Sequence, residues 1–216
     1  MCNKLKFEIL PDYQIEIFDK IIHLEWIKDF YLAGGTGLAL QIGHRESIDF
    51  DFFSSISFDT LSLLNKLQML GNVKVISQSN NILHCFLNNI QISFFKVQYD
   101  LIDKPIEYHN LKIASTLDII LMKLQAISGT GSRKDFIDLY FLLKQYNLND
   151  INNLYKKKYG IMLQSDYHLH KALVYFNDAE NQPFPKMFIE IHWEQIKNAI
   201  IEIVRKFSYE KGFIPE

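Results

Sequence analysis

The chain has 216 residues, enough for one sizeable core or two lobes sharing a cleft. Apolar residues make up 48%, a globular composition, and no internal repeat or low-complexity tract points to a solenoid or a disordered segment. The formal net charge of −2 excludes a global basic footprint for nucleic acid, while a local basic groove stays open.

Taken in order, residues 11 to 26 read as a helix, with Pro11 in the first turn and an apolar stripe through Ile15, Ile17, Phe18, Ile21, Ile22 and Leu24. Phe30-Tyr31-Leu32-Ala33 reads as a strand, followed by a Gly34-Gly35 turn, Thr36, and a short helix from Leu38 to Ile42 that stops at Gly43. After His44-Arg45-Glu46-Ser47 comes the alternating run Ile48-Asp49-Phe50-Asp51-Phe52. Strand periodicity sends Ile48, Phe50 and Phe52 into the core and sets Asp49 and Asp51 side by side on the other face.

Ser57 to Leu70 reads as a helix capped by Ser57 or Asp59, with Leu61, Leu64, Leu67 and Leu70 inward and Gly71 at its end. From Asn72 to Val97 three strands are expected, separated by Ser79-Asn80-Asn81 and Asn88-Asn89. The remainder is helical. Ser115-Thr116-Leu117-Asp118 resembles a capping box and opens a helix that Gly129 to Ser132 breaks. A second helix opens at Arg133 and runs to about Tyr146, with others expected at 150–159, 166–178 and 186–207. The fold class expected is α+β: a mixed-sheet core over residues 1–110 and a helical lobe over residues 111–216.

Two adjacent carboxylates repel and call for a partner of opposite charge. Mg²⁺, which accepts one or two carboxylates together with substrate phosphates, suits Asp49 and Asp51. Glycines at 34 and 35 let backbone N–H groups approach phosphate oxygens at a helix N-terminus. The bland alternatives are a plain tight turn and a pair of solvated acids. Arg45 serves equally to bind a triphosphate or to hold an aspartate in place. His44 reads as an incidental loop residue. His168 and His170 fall on different faces of a helix, which argues against a metal site there. Lys156-Lys157-Lys158 reads as a solvated face.

Gly34-Gly35-Thr36, followed by Arg45-x-Ser47-x-Asp49-x-Asp51, resembles the nucleotidyltransferase signature of the AbiEii/AbiGii family, the toxin halves of type IV toxin–antitoxin and phage-exclusion pairs. A second stretch, Lys123-Leu-Gln-Ala-Ile and then Arg133-Lys134-Asp135-x-x-Asp138-Leu139, is similar to later conserved blocks of that family. The resemblance runs from about residue 30 to 205 and includes 168–185. It implies an enzyme that moves a nucleoside monophosphate from an NTP to an acceptor and releases pyrophosphate, with both substrate and Mg²⁺ (or Mn²⁺) in the cleft between lobes.

By the resemblance, Asp49 and Asp51 bind metal, and Gly34, Gly35, Thr36, Arg45, Ser47, Arg133 and Lys134 contact the nucleotide. Lys123 also reaches phosphate, and Asp135 or Asp138 acts as base or holds a basic residue. The alternative for the last group is an ordinary Lys134–Asp138 pair, with Asp135 stabilising a helix N-terminus. Some relatives modify the 3′ end of tRNA, and an antitoxin encoded nearby is the expected partner. Many nucleotidyltransferases carry a third carboxylate on a later strand. This chain has no Asp or Glu between Asp59 and Asp100, and Gln91 or Ser93 stands where one is expected.

Three rival readings follow: a nucleotide-binding module without catalysis, a phosphotransferase of kinase type, and a pure interaction protein. Two cysteines, Cys2 and Cys85, without zinc-site spacing suggest a reducing compartment. No apolar run approaches the ~18 residues of a membrane span. The first residues carry acids and lack a long apolar h-region, so they do not read as a signal peptide and a cytoplasmic location is expected.

Overall fold

The computed structural model describes residues 5–160 and 166–213. Cys2 lies outside them. The backbone divides into two units, Met1–Ser115 and Thr116–Glu216.

In the first unit, helix α1 (Asp12–Ile22) buries Ile17, Phe18, Ile21 and Ile22 as one stripe. It ends before residue 26 because Leu24 is extended, and a 3₁₀ turn follows over Glu25–Asp29. Strand β1 (Tyr31–Ala33) leads straight into helix α2 (Gly34–Ile42). The glycine pair is thus the helix's own first turn rather than a separate turn before it. Gly43, at φ +67°, closes that helix in the left-handed conformation.

Strand β2 spans Asp49–Ser54 and helix α3 spans Thr60–Gln68. Asp59 caps α3 by accepting from the Leu61 and Ser62 amides. Ser57 is not the cap; its hydroxyl accepts from Lys96 Nζ at 2.7 Å. The helix starts later than expected; Thr60, Leu63 and Leu67 are buried, Leu64 and Leu70 pack against the core as expected, and Leu61 is 62% exposed.

Strands β3 (Val73–Ser79), β4 (Ile82–Leu87) and β5 (Ile90–Lys96) form two hairpins. Asn81, Asn88 and Asn89 take the positive φ that tight hairpin turns require. Strands β6 (Ile106–Tyr108) and β7 (Leu111–Ile113) form a third hairpin that the sequence reading missed. Three residues are too few to display an alternation.

The sheet order is β3-β4-β5-β2-β1-β7-β6. β2 sits in the middle, parallel to β5 and antiparallel to β1, and β1 is parallel to β7. Leu32, Phe50, Phe52, Leu83, Cys85, Ile92 and Phe94 all join the hydrophobic core. Ile48 does not. It precedes the first paired residue of β2 and is 48% exposed.

The second unit contains α4 (Thr116–Thr130), α5 (Arg133–Leu142), α6 (Leu148–Tyr159), α7 (Asp166–Leu173), α8 (Asn177–Glu180) and α9 (Trp193–Glu210). α4 runs through Gly129, and the break falls at Gly131-Ser132. There Ser132 and Asp135 form a capping box for α5. α5 stops at Leu142 instead of reaching Tyr146. The single helix expected over 166–178 is two, α7 and α8. α9 starts only at Trp193, so Ile189 lies off the buried stripe of Ile196, Ile200, Val204 and Phe207. The lysine run is not a solvated face. Lys158 bonds the fully buried Asp118 at 2.6 Å, and Lys156 pairs with Asp166, leaving only Lys157 outward.

Candidate active site

β1, α2 and β2 bring the glycine turn and the two acids together. Asp51 lies directly across from Ala33, the residue before Gly34. Gly34 has φ +64°, and a Cβ there would stand 2.9 Å from Asp51 Oδ2. Both facts require glycine. A Cβ on Gly35 would meet the Arg45 guanidinium at 2.5 Å. The backbone of the turn is therefore packed against the site.

Thr36 and Ser47 tie this turn to β2. Their hydroxyls are 2.7 Å apart, and Thr36 also bonds the Asp49 carbonyl oxygen. Ser47 Oγ donates to Asp49 Oδ1 at 3.3 Å. Asp49 thus takes neutral hydroxyl partners, and both it and Asp51 are half-buried on one face of β2. Phe50 and Phe52 point the other way and are fully buried. Arg45 is also buried, at 1% exposure, and donates to the Glu46 carbonyl at 3.0 Å. His44 is fully buried and is no incidental loop residue.

Among the described residues no group of three His, Cys, Asp or Glu could hold a metal. Two adjacent carboxylates nevertheless fit Mg²⁺, which completes its shell with water and substrate phosphate. On the neighbouring strand Gln91 lies beside Asp49 and Ser93 beside Asp51, so neither site of a third acid is filled by a carboxylate. Ser93 Oγ lies 3.2 Å from His84 Nδ1, on the next strand.

In the helical unit Lys123 Nζ bridges Asp135 Oδ1 at 2.8 Å and Asp138 Oδ2 at 2.6 Å. The Lys123 side chain is 9% exposed, and that of Asp138 is fully buried. Asp135 also accepts from the Ser132 hydroxyl at 2.7 Å and its amide at 3.0 Å. Burial pushes the Asp135 carboxyl up. The Lys123 charge and hydrogen bond, with those from Ser132, outweigh it and leave the group below the usual carboxylate range. Asp138 turns inward to Lys123, which disfavours the alternative of an ordinary Lys134–Asp138 pair. Arg133 donates through Nε to the Ala179 carbonyl at 2.9 Å and lies over Trp193 at 5.0 Å. His168 and His170 meet separate partners, the Ser128 carbonyl and Ser208.

The aromatic neighbours of the acids were missed from sequence. Phe53, two residues after Asp51, stacks on Tyr31 and on Phe95 with centroids 5.8 and 5.2 Å away. Phe53 was visible as the next residue of the same alternation. Its company depended on strand register.

The model for the nucleotidyl transferase AbiEii toxin of type IV toxin–antitoxin systems matches residues 17–208. An uncharacterized protein of Aquifex aeolicus (strain VF5), aq_aa25, is 37% identical over 212 residues, covering 95% of this chain and 98% of that one. The crystal structure of JHP933 from Helicobacter pylori superposes with a TM-score of 0.55 at 15% identity, covering 93% of this chain and 94% of that one. That likeness is one of fold. With a family match over most of its length, this chain belongs to the AbiEii nucleotidyl transferase toxins of type IV toxin–antitoxin systems.

Proposed function

We propose that the protein transfers a nucleoside monophosphate from an NTP to the 3′ end of tRNA. It does so as the toxin of a toxin–antitoxin or phage-defence pair, alongside an antitoxin encoded nearby. One observation carries this reading: the Thr36–Ser47–Asp49 hydroxyl contacts hold a phosphate-binding turn against two half-buried carboxylates. Asp49 and Asp51 would hold Mg²⁺ (or Mn²⁺), which supplies charge neutralisation at the phosphates.

Gly34, Gly35 and the amides that open α2 receive the triphosphate oxygens. Arg45 and Ser47 position the turn and Asp49. Lys123, Arg133 and Lys134, which the family resemblance assigns to phosphate, lie on the helical unit, where Asp135 and Asp138 fix Lys123. The acceptor hydroxyl oxygen attacks the α-phosphorus, the bond to the bridging oxygen breaks, and pyrophosphate leaves. The hydroxyl proton passes to water.

A second reading, nucleotide binding without catalysis, is favoured by Gln91 and Ser93 at the positions of a third acid. The test supplies Mg²⁺ and each α-³²P-labelled NTP in turn, with total tRNA and a protein mixture. Label on tRNA, absent with Asp49→Ala/Asp51→Ala, is the expected result. Label on protein would replace the acceptor. Release of nucleoside diphosphate would indicate kinase-type chemistry. No transfer with intact Mg²⁺-dependent NTP binding would establish the second reading.

A further inference from the structure

The carboxylate face of the sheet continues past Asp51 into an aromatic row. Tyr31, Phe53 and Phe95 stand in register across β1, β2 and β5, half-buried, with Phe53 stacked on each of the other two within 24° of parallel. The row lies one pleat from the row of Ala33, Asp51 and Ser93, a step of about 7 Å along a strand. It lies on the side away from the glycine turn, because Gly34 follows Ala33 while Tyr31 precedes it. At the Tyr31 end is a cavity of about 250 Å³, rimmed by Lys28, Asp29, Asp100 and Lys112. Lys112 is the β7 neighbour of Tyr31. Two lysines and two aspartates give donors and acceptors without net charge, which suits the edge of a heterocycle better than a bare phosphate.

The direction of the row matters. In phosphoryl transfer the attacking and leaving oxygens lie roughly in line, on opposite sides of phosphorus. If the glycine turn receives the departing pyrophosphate, the acceptor approaches from the opposite side, where the aromatic row is. Aromatic rings on a sheet surface stack unpaired bases, and a base of any identity offers a π-face.

We infer that the Tyr31 end of this row is the acceptor subsite, which stacks the terminal base of a single-stranded 3′ end beside Asp51. This rests on the nucleotidyl-transfer reading and adds to it the residues that seat the acceptor. Phe53 and Phe95 back Tyr31 as a rigid platform, and the cavity admits one nucleoside-sized group, being smaller than the usual range for larger ligands.

The test uses the full chain and two fluorescent probes: a short oligoribonucleotide ending in 2-aminopurine, and 2-aminopurine riboside triphosphate with Mg²⁺. The expected result is quenching of the oligonucleotide by the wild-type protein. Its Kd should rise by about 5- to 150-fold in Tyr31→Leu and stay near wild type in Tyr31→Phe. Triphosphate binding, followed by calorimetry, should be unchanged in both variants. Matching thermal unfolding of the two variants keeps the comparison free of a folding effect. If Tyr31→Leu weakens the triphosphate instead, the row serves the donor nucleotide and the inference is overturned. It is overturned equally if the oligonucleotide binds all three proteins alike or none. Loss of triphosphate binding in Asp49→Ala/Asp51→Ala tests the underlying reading separately.

Discussion

The two units handle their aspartate pairs in opposite ways. In the helical unit Asp135 and Asp138 close around Lys123, and Asp138 has no exposure at all. In the sheet unit Asp49 and Asp51 lie on a half-buried strand face, and Asp49 is met by the hydroxyls of Thr36 and Ser47. Hydroxyls orient a carboxylate without cancelling its charge. An ammonium at salt-bridge distance does cancel it. The hydroxyls orient Asp49 on the face that it shares with Asp51, and the Lys123 bridge fixes a helix–helix contact. The same residue type, two or three positions apart, is oriented by hydroxyls in one place and closes a buried salt bridge in the other.

The sharpest way to break this contrast is to remove each pair. Asp49→Ala/Asp51→Ala should lower nucleotidyl transfer by about 10³-fold or more. Its urea midpoint should hold or rise, because carboxylate repulsion is relieved. A drop in stability without a drop in transfer would make the sheet pair structural. Asp138→Ala should show the reverse priority, with a loss of about 3–5 kcal/mol in urea unfolding from a buried lysine left without one counter-charge. Lys123→Met/Asp138→Leu should recover part of that loss, and no recovery would mean that packing rather than charge dominates.

Gly34→Ala probes the turn. The left-handed φ and the close Asp51 carboxylate together predict a loss of about 1–2 kcal/mol, seen as a lower urea midpoint, with reduced transfer. An unchanged midpoint and rate would mean that the turn and Asp51 separate freely.

The smallest effect is in pH. Asp135 has a depressed folded carboxyl, so its contribution is present above the ordinary carboxylate range and fades as pH falls through the lower folded value. The stability gap between wild type and Asp135→Asn should therefore narrow on acidification below about pH 4. A gap that widens there would reverse the assigned direction.

Much of the site was legible because it is local. Gly34 to Asp51 lies within one continuous stretch, and the alternation that buries Phe50 and Phe52 also fixes the face of the acids. Boundaries were less legible. Ile48 follows the alternation but has no strand partner, and of the four leucines expected inward around α3, Leu64, Leu67 and Leu70 pack on the core while Leu61 faces solvent. Lys123 was visible as a candidate site residue, but its partners lie one helix later and only packing could select Asp138 over the solvent. The aromatic row was the least legible, since Tyr31, Phe53 and Phe95 meet only through register across three strands.

The order of the strands has a consequence for how the protein is made. β2 needs β5 on one side, and β1 needs β7, so the central sheet is closed by Leu111–Ile113, far along the chain from Asp49 and Asp51. Contacts of this range are slow to form and are completed late. On the ribosome, where the N-terminal part emerges first, β1 gains its second neighbour only after Leu111–Ile113 is out.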